Sequence, residues 1–293
     1  MTPQQQRARV QEAVLAWYAE AGRDLPWRRP EASAWGIFVS EIMAQQTPIA
    51  RILGPWQAWL ERWPTPGDLA AAPAGEAIKM WGRLGYPRRA LGLHRAATAM
   101  VERHGGQVPE DPEDLRALPG VGEYTTAAVA SFAFGNPLVV IDTNVRRVLA
   151  RLALGQGHSA PSMTAAERRL AHQWLPHDRA AANQWNVAVM ELGALVCTAR
   201  SPQCERCPVQ QWCRWREAGH PAYEGPVRKA QGYEGTDRQV RGRILELVRA
   251  GDQPISPVVL AGLDAPQRVA RLAGQLCAEG LLNLSDDGYH LPR

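Results

Sequence analysis

Four of the five cysteines in this 293-residue chain lie within 17 residues, and this cluster limits what the chain can fold into more than any other feature. Their spacing is Cys197-x6-Cys204-x2-Cys207-x5-Cys213. Four thiolates this close together in a reducing compartment predict a metal centre, and both a tetrahedral zinc ion and a 4Fe-4S cluster take four such ligands. The fifth cysteine, Cys277, lies on the apolar face of a predicted helix, where we expect it to belong to the core.

The reducing compartment is inferred from the N-terminal sequence. It reads MTPQQQRARVQEAVLAWYAE, which lacks the basic and then apolar order of a secretory signal and is typical of an amphipathic helix. No window of the chain approaches the ~18 uninterrupted apolar residues that a membrane span requires. We therefore expect a cytoplasmic protein, and disulfides are rare in that compartment.

Helical spacing of apolar residues dominates the main body of the chain. Val10, Val14, Leu15 and Tyr18 are one example, and strict alternation is nearly absent, which predicts an all-α fold. Proline and glycine divide the pattern into short helices. Apolar residues make up 45% and charged residues 21% of the chain, which excludes a disordered protein, and the length favours two or three domains.

A change of composition marks the C-terminal part. Residues 219–236 are rich in Gly, Pro, Tyr and charged side chains, which is typical of a linker. Three helices are predicted after it, near residues 237–250, after Ser256 and near residues 266–279. Two short extended segments follow, around the turn DDG at residues 286–288. This order of elements predicts a winged helix.

The basic residues are almost all arginine. The net charge is +4, and of 33 basic residues only Lys79 and Lys229 are lysine. The positive excess permits a polyanionic partner without requiring one. Any reaction that needs a lysine amine is therefore limited to two residues.

A glycine turn precedes a helix that starts with small residues. The turn is LPGVG at residues 118–122, and the helix begins near Tyr124. Glycines here let the backbone approach a partner closely, and the free N–H groups of the helix N-terminus favour an anion such as phosphate. An ordinary glycine-closed helical hairpin explains the same residues.

Two carboxyl groups are predicted in opposite surroundings. Glu41 follows Ile37 by four residues and Phe38 by three, so it lies on the apolar face of its helix, where burial favours the protonated state. Asp142 ends an apolar run and starts a helix, so we expect it to cap that helix and to stay ionised. Such a pair is typical of enzymes that cleave glycosidic bonds. A buried, salt-bridged Glu41 and a plain N-cap at Asp142 are the structural alternatives.

The order of several motifs resembles that of the MutY-type adenine DNA glycosylases, in the helix-hairpin-helix superfamily. The motifs are LPWR at residues 25–28, SEIMAQQT at residues 40–47, Gly85-Tyr86, the glycine turn, Asp142 and the cysteine loop. The resemblance covers residues 8–215. The cysteine spacing resembles the cluster loop of endonuclease III and MutY-type enzymes, which favours a 4Fe-4S cluster over zinc.

The resemblance implies an all-α, two-lobed helix-hairpin-helix glycosylase fold. A six-helix barrel module that includes the hairpin is expected at residues 30–144, and an iron–sulfur cluster domain at residues 1–29 and 145–218. Residues 219–236 are the expected linker, and residues 237–293 the expected small winged-helix-like domain.

The resemblance also implies an activity. In those enzymes, adenine opposite 8-oxoguanine is flipped out of the duplex, and its N-glycosidic bond is cut without cutting the backbone. Glu41 then resembles the acid that protonates adenine N7, and Asp142 the carboxylate that stabilises the sugar cation or its covalent adduct. Tyr124 matches a position that is lysine in endonuclease III relatives, where the amine forms a Schiff base. Without a lysine near the hairpin, we expect a monofunctional glycosylase.

A base pocket and a DNA surface follow from the same resemblance. The expected pocket residues are Arg23, Trp27, Arg28, Ala44, Ile49 and Val187. The expected DNA-binding residues are Gln45, Gln46, Tyr86, Leu118, Gly120, Val121, Gly122 and Asn144. Gln46 and Tyr86 resemble the residues that wedge into the stack near the opposite base, which offsets the cost of base flipping, about a few kcal/mol.

The cofactors and partners are expected as follows. The 4Fe-4S cluster has a structural and DNA-positioning role, and a monovalent or alkaline-earth cation binds at the helix-hairpin-helix. The partner is double-stranded DNA that contains a mispaired or lesion-paired adenine. We expect a monomer without membrane contact, in the bacterial cytoplasm and associated with the nucleoid.

Three residues depart from the family pattern. Ala44 stands where leucine is usual, Pro87 where a second aromatic residue is usual, and Val187 where a Gln or Glu touches the adenine edge. Purine selectivity is therefore less constrained than glycosylase activity. Residues 237–293 are too few for the Nudix-like domain that reads 8-oxoguanine in typical members, so the chain resembles the short actinobacterial form.

Two other functions are compatible with these residues. A mismatch thymine or uracil glycosylase shares the hairpin, the tyrosine and the cysteine loop. A non-catalytic DNA-binding module needs only structural roles for Glu41 and Asp142. Release assays with defined mispairs separate the two enzymes. If the chain is a non-catalytic module, Glu41→Gln and Asp142→Asn leave it as inert as the parent.

Overall fold

The computed structural model describes residues 2–223, 225 and 232–293, and nearly all the regular structure in them is helical. The helices, in chain order, are α1 (Pro3–Ala21), α2 (Ala34–Ala44), α3 (Leu53–Arg62), α4 (Pro66–Ala71), α5 (Ala74–Trp81), α6 (Arg88–His104), α7 (Pro112–Ala117), α8 (Glu123–Phe134), α9 (Thr143–Leu154), α10 (Ala165–Trp174), α11 (Arg179–Leu195), α12 (Arg214–Glu217), α13 (Asp237–Ala250), α14 (Pro257–Ala261) and α15 (Pro266–Ala278). The strands are β1 (Asn283–Ser285) and β2 (Gly288–His290). The predicted all-α class is confirmed.

The chain divides into two compact units. The cysteine unit consists of Met1–Ala32 and Glu123–Lys229, and it contains α1 and α8 to α12. The Glu41 unit consists of Ser33–Gly122 and Ala230–Arg293, and it contains α2 to α7, α13 to α15 and both strands. The predicted linker includes residue 224 and residues 226–231, which lie outside the described residues.

The core of the cysteine unit is built on α1, α9 and α11. Thr2 starts α1 with a capping box, in which its side chain accepts from the backbone N–H of Gln5 and the Gln5 side chain accepts from the N–H of Thr2. Val10 and Val14 are fully buried against α11, as their spacing predicts. Burial of each such side chain contributes roughly 1.5–3 kcal/mol to stability.

The core of the Glu41 unit surrounds α2. Nine of the eleven residues of α2 are buried, so this helix has almost no polar face. Helices α3 and α6 pack against it. Trp59 makes edge contacts with Trp63 and Trp81, at ring-centroid distances of 4.7 and 5.8 Å. These rings fill the core because an aromatic side chain buries a large apolar area and prefers such geometry.

The C-terminal part of the Glu41 unit has the predicted order of elements. Helices α13, α14 and α15 precede the hairpin, in which Leu284 pairs with Tyr289 in antiparallel register. Tyr289 also exchanges backbone hydrogen bonds of 2.8 and 2.9 Å with Ile255, and this isolated antiparallel bridge attaches the segment before α14 to the hairpin. This arrangement confirms the winged-helix-like prediction.

Among the described residues, no helix combines the length and the apolar character that a membrane span requires.

Candidate functional site

The four clustered cysteines surround one cavity. They follow α11 on a loop with two short 3-10 turns, Cys204–Arg206 and Gln210–Trp212. All four line the cavity, together with Arg151 and Trp215. In the described part of the chain, no group of three or more His, Cys, Asp or Glu is placed to hold a single metal ion. The four predicted ligands therefore line one cavity and do not converge on the position of a single ion.

The donor chemistry of this loop fits a metal cluster. Burial raises the pKa of the Cys207 thiol to about 12, and it also raises the pKa of Cys204 and of Cys213. Arg151 donates through Nη1 to Sγ of Cys197 at 3.4 Å and lies over the ring of Trp215. Buried thiols bind a metal as thiolates, so a positively charged group must replace their protons. The cavity supplies four such donors, and the side chains of Arg151 and Arg216 also line it.

Asp142 is the N-cap of α9, as predicted. Its Oδ1 accepts from the backbone N–H of Val145 at 2.7 Å, and its Oδ2 accepts from Nδ2 of Asn144 at 2.6 Å. Burial raises the pKa of Asp142, more than these hydrogen bonds and the charge of Arg147 lower it. The capping geometry is confirmed. Burial opposes the charged form of this carboxyl, whereas its two hydrogen bonds and the charge of Arg147 favour it.

Asn144 connects Asp142 to the cysteine loop. Its Oδ1 accepts from Nη2 of Arg147 at 2.7 Å. Arg147 in turn donates to the carbonyl oxygens of Cys197 and Gly193, each at 2.7 Å. The Asn144 side chain, predicted to bind DNA, is thus held at both ends within the cysteine unit.

Asn186 supports the segment that leads to Asp142, and the sequence did not indicate this role. Its side chain is buried in α11 and donates through Nδ2 to the Leu138 carbonyl at 2.7 Å. Its Oδ1 accepts from the N–H of Val140 at 3.2 Å. A buried amide satisfied in this way fixes backbone that belongs to no helix or strand.

Glu191 is a second residue that the sequence did not indicate. Its side chain is fully buried in α11 and binds Arg23 at 2.5 and 2.8 Å and Arg28 at 2.9 Å. Burial by itself raises the pKa of Glu191, but the hydrogen bonds and charges of the two arginines outweigh it and lower the pKa overall. The structure therefore joins two predicted pocket residues through one carboxylate.

The other pocket residues of the cysteine unit lie on neighbouring elements. Trp27 is buried in the 3-10 turn Pro26–Arg28. Val187 is half-buried in α11, one helical turn before Glu191. Nη1 of Arg28 is buried and meets no acceptor among the described residues.

Glu41 lies in the buried helix α2, as predicted. The residue is 8% exposed, and the neighbouring Ser40 turns its hydroxyl to the Ile37 carbonyl at 2.7 Å. Ser33 caps the helix by accepting from the N–H of Gly36 at 3.0 Å. The burial of Glu41 is confirmed, and the protonated state of its carboxyl stays a prediction.

The end of α2 and the turn before α6 each present an exposed residue in the left-handed backbone region. Gln46 has a φ of 53° and Tyr86 a φ of 47°, and both are exposed. Residues with a side chain rarely adopt this conformation. Ala44 and Gln45 precede this turn and are half-buried, and Ile49 is half-buried in the following 3-10 turn.

Arg89 links these two turns. It donates to the carbonyls of Ile42 and Met43 at 3.1 Å each, and to that of Gln45. On the other side it donates to Gly85 O at 3.0 Å, and its guanidinium lies over the Tyr86 ring. Burial lowers the pKa of Arg89. No sequence pattern indicated this role, because one more arginine among many is not distinctive.

The glycine turn closes tightly before α8. Gly120 has a φ of 79°, and a Cβ at this position would come within 3.4 Å of Gly92 Cα. Val121 donates its N–H to the Leu118 carbonyl at 3.2 Å, and both side chains are buried. Any DNA contact by these two residues is therefore expected from their backbone. Gly122 ends the turn, and Tyr124 follows, half-buried in the first turn of α8.

The comparisons with known proteins identify the family of the chain. Residues 39–174 match the family model of the HhH-GPD superfamily of base excision DNA repair proteins. Residues 197–213 match that of the iron–sulfur binding domain of endonuclease III. The second match covers all four clustered cysteines, so the loop is an iron–sulfur binding loop.

Full-length relatives and solved structures extend the likeness. The chain is 47% identical to the adenine DNA glycosylase of Mycobacterium tuberculosis over 282 residues, which cover 95% of this chain and 92% of that protein. It is 42% identical to the human adenine DNA glycosylase over 70% of this chain and 39% of that protein. A thermostable thymine-DNA glycosylase structure superposes with a TM-score of 0.66 and 26% identity, over 73% of this chain and 98% of that one.

Proposed function

We propose that this chain, which belongs to the adenine DNA glycosylases within the HhH-GPD superfamily of base excision DNA repair proteins, is a monofunctional glycosylase. Its proposed substrate is adenine mispaired with 8-oxoguanine or guanine in double-stranded DNA. The observation that carries the proposal is the half-buried Asp142 carboxyl, whose two oxygens are each held by a hydrogen bond at the start of α9. A carboxylate fixed in this way is suited to face a sugar cation.

Two carboxyl groups have separate roles in the proposed reaction. Glu41 protonates adenine N7, so that the C1′–N9 bond breaks with its electron pair on the base. Asp142 stabilises the positive charge that develops on the sugar, or forms its covalent adduct, until water adds to C1′ and leaves an abasic site. Each role rests on the residue's own surroundings: Glu41 is buried in α2, and Asp142 is half-buried and hydrogen-bonded at the start of α9.

The proposal that this enzyme does not cleave the DNA strand rests on the positions of its two lysines. Tyr124 offers a phenol where a Schiff-base enzyme needs an amine. Lys79 lies in α5 near Asp252, with Nζ 3.5 Å from a carboxylate oxygen. Lys229 lies outside the described residues.

The proposed base-pocket residues Arg23, Arg28 and Val187 lie in the cysteine unit. Glu191 holds the guanidinium groups of Arg23 and Arg28, and among the described residues the Nη1 donor of Arg28 has no hydrogen-bond partner. Val187 offers no hydrogen bond, so discrimination between purines relies more on shape. The remaining proposed pocket residues are Trp27, Ala44 and Ile49.

The proposed DNA-binding residues are Gln45, Gln46, Tyr86 and the glycine turn in the Glu41 unit, and Asn144 in the cysteine unit. A monovalent or alkaline-earth cation is proposed at that turn. A 4Fe-4S cluster on the four loop cysteines serves structure and DNA positioning, because hydrolysis of this bond needs no electron transfer. We propose a monomer that acts on the nucleoid. Its proposed domains are a cluster domain at residues 1–29 and 145–218, a barrel module at residues 30–144 and, after a linker at residues 219–236, a small domain at residues 237–293.

A single-turnover assay across defined mispairs tests this function. We expect free adenine from duplexes with adenine opposite 8-oxoguanine or guanine, and no release by Glu41→Gln. Glu61→Gln, which changes an exposed glutamate of α3, is the matched control and should act like the parent.

A thymine or uracil glycosylase is the second candidate, favoured by the structural match to a thymine-DNA glycosylase. Release of thymine or uracil with no adenine would establish it instead. A non-catalytic DNA-binding module predicts that the parent and Glu41→Gln are equally inert.

A further inference from the structure

We propose that the C-terminal residues 237–293 act as a brace that positions Tyr86. The brace holds the turn of residues 82–87, between α5 and α6, in the conformation that presents this side chain. The inference rests on the proposed role of Tyr86 at the DNA. It assigns to the C-terminal part a function within the same site, through contacts that lie entirely inside the Glu41 unit.

The first contact reaches the beginning of the turn from α13. Arg249 is largely buried and donates through Nη1 to the carbonyl oxygen of Gly82. Glu246, one turn earlier on α13, forms an ion pair with Arg83. The two residues that they contact, Gly82 and Arg83, are consecutive in the turn. Together they attach its first half to the C-terminal part.

The second contact holds the other end of the turn. Glu279, just after α15, binds Arg88 at 2.6 and 2.8 Å, and Arg88 is the first residue of α6. The same carboxylate binds Arg241 of α13 at 2.5 Å and is only 16% exposed. A carboxylate shared between two arginines keeps its orientation. The second half of the turn is thereby attached as well.

A third contact fixes α5 itself. The N–H of Gly75 donates to the Pro292 carbonyl at 2.8 Å, and a Cβ on Gly75 would overlap that oxygen. The chain from α5 to the start of α6 is thus held at three places by residues that follow position 237.

The turn needs such support because its backbone is strained. Gly82, Gly85 and Tyr86 all have positive φ, at 51°, 81° and 47°. Of these, only Tyr86 carries a side chain, which makes its conformation costly for a free loop. Contacts on both sides of the turn favour that conformation before any DNA binds.

The charge of the C-terminal part favours the role of a brace over direct DNA binding. Residues 237–293 contain seven arginines, seven acidic residues and no lysine. Of these arginines, Arg241, Arg268 and Arg271 bind carboxylates of the same part. Arg249 binds Gly82. A segment that contacts many phosphates is expected to have an excess of unpaired basic side chains.

Hydrogen exchange on the full-length protein tests the brace without any assumption about activity. Arg249→Met should increase amide exchange in residues 82–86 about ten-fold, because the turn opens more often. Arg243→Met, an exposed arginine on the same helix, is the matched control and should leave exchange unchanged. Unchanged exchange in Arg249→Met overturns the proposal.

A double-mutant cycle tests whether the brace acts through Tyr86. The probe is a duplex with 8-oxoguanine opposite a tetrahydrofuran abasic site. Arg249→Met should raise Kd about five- to ten-fold in the parent but less than about two-fold in Tyr86→Ala. An equal effect in both backgrounds overturns the proposal, because it indicates either a direct DNA contact or a general loss of structure.

Two further measurements keep the outcomes distinct. If Arg249→Met fails to fold, as judged by its melting curve, Glu279→Gln replaces it with the same expectations, since this change keeps the shape of the side chain. If the parent protein releases no base from any mispair, the proposed function fails, while the exchange result still decides whether the brace exists.

Discussion

Asp142 and Arg147 bind opposite ends of one side-chain amide, that of Asn144. The Asp142 carboxylate accepts from Nδ2 at 2.6 Å, and the Arg147 guanidinium donates to Oδ1 at 2.7 Å. Because each end of the amide has a partner of the matching type, its orientation is fixed. Arg147 continues to the Cys197 carbonyl at 2.7 Å, so the proposed catalytic carboxyl and the iron–sulfur binding loop share one hydrogen-bond chain.

Asp142→Asn should abolish adenine release. We expect a decrease of about a thousand-fold in the single-turnover rate, because a neutral amide stabilises a sugar cation poorly. Asp178→Asn is the matched control, since Asp178 caps α11 in the same unit by accepting from the N–H of Ala181. An Asp142→Asn protein with parental activity contradicts the proposed role.

The raised pKa of Asp142 predicts that the stability of the protein depends on pH. Burial raises the pKa of Asp142 above its ordinary 3.8, so the folded protein holds this proton more tightly than the unfolded chain does. Its contribution to stability is present below about 3.8 and is lost as the pH rises through the folded-state pKa. Relative to Asp142→Asn, the parent should therefore lose free energy of unfolding as the pH increases, measured by urea denaturation from about pH 4 to about pH 7. A constant difference between the two proteins contradicts this.

Glu191→Gln should destabilise the protein by about 2–3 kcal/mol. The change leaves two arginines facing a neutral amide in a buried position, and the figure allows for the partial exposure of Arg23. The pKa of Glu191 is lowered, so its contribution is present above the unfolded value of 4.5 and is lost as the pH falls through the folded-state pKa. The difference in unfolding free energy between parent and variant should thus shrink in acid, and a difference that grows there is the contrary result.

Removal of one loop cysteine should prevent iron binding. Cys207→Ser takes away one of the four thiols that line the cavity, and we expect loss of bound iron and of the visible absorbance of the purified protein. Cys277→Ser, in α15 of the other unit, is the control and should retain both. A colourless parent protein with stoichiometric zinc contradicts the cluster assignment.

Gly120→Ala should weaken both folding and DNA binding. The left-handed φ of 79° costs an alanine about 1–2 kcal/mol, and its methyl group comes close to Gly92. Gly274→Ala, in open space on α15, should instead stabilise the protein by about 0.5–1 kcal/mol. Chemical denaturation measures both changes, and equal effects of the two substitutions contradict the predicted constraint on the turn.

Local patterns in the sequence predicted a large part of this structure. The periodicity of apolar residues predicted the buried positions of Val10 and Val14 and the burial of Glu41. The apolar run before Asp142 predicted the cap of α9. These features depend on residues that are close in the chain, so the spacing of a short segment is sufficient to reveal them.

The contacts that support the site were not predictable in this way. Arg23 meets Glu191 across 168 residues, and Arg89 meets the Gln45 carbonyl across 44. No local rule relates such positions. The positive φ of Gln46 and Tyr86 was also hidden, because sequence rules assign that conformation to glycine. Burial of Asp142 changed its expected pKa for the same reason, since burial depends on the whole unit.

The pairing of α1 with α11 has a consequence for the order of folding. Helix α1 is synthesised before α11, which packs against it and carries the partner of Arg23, 168 residues further along the chain. Until α11 leaves the ribosome, the first helix exposes its apolar face to solvent. The cysteine loop is synthesised directly after α11. A nascent chain therefore completes the scaffold of its iron–sulfur binding loop and buries its own N-terminal helix at nearly the same moment, and both events are late.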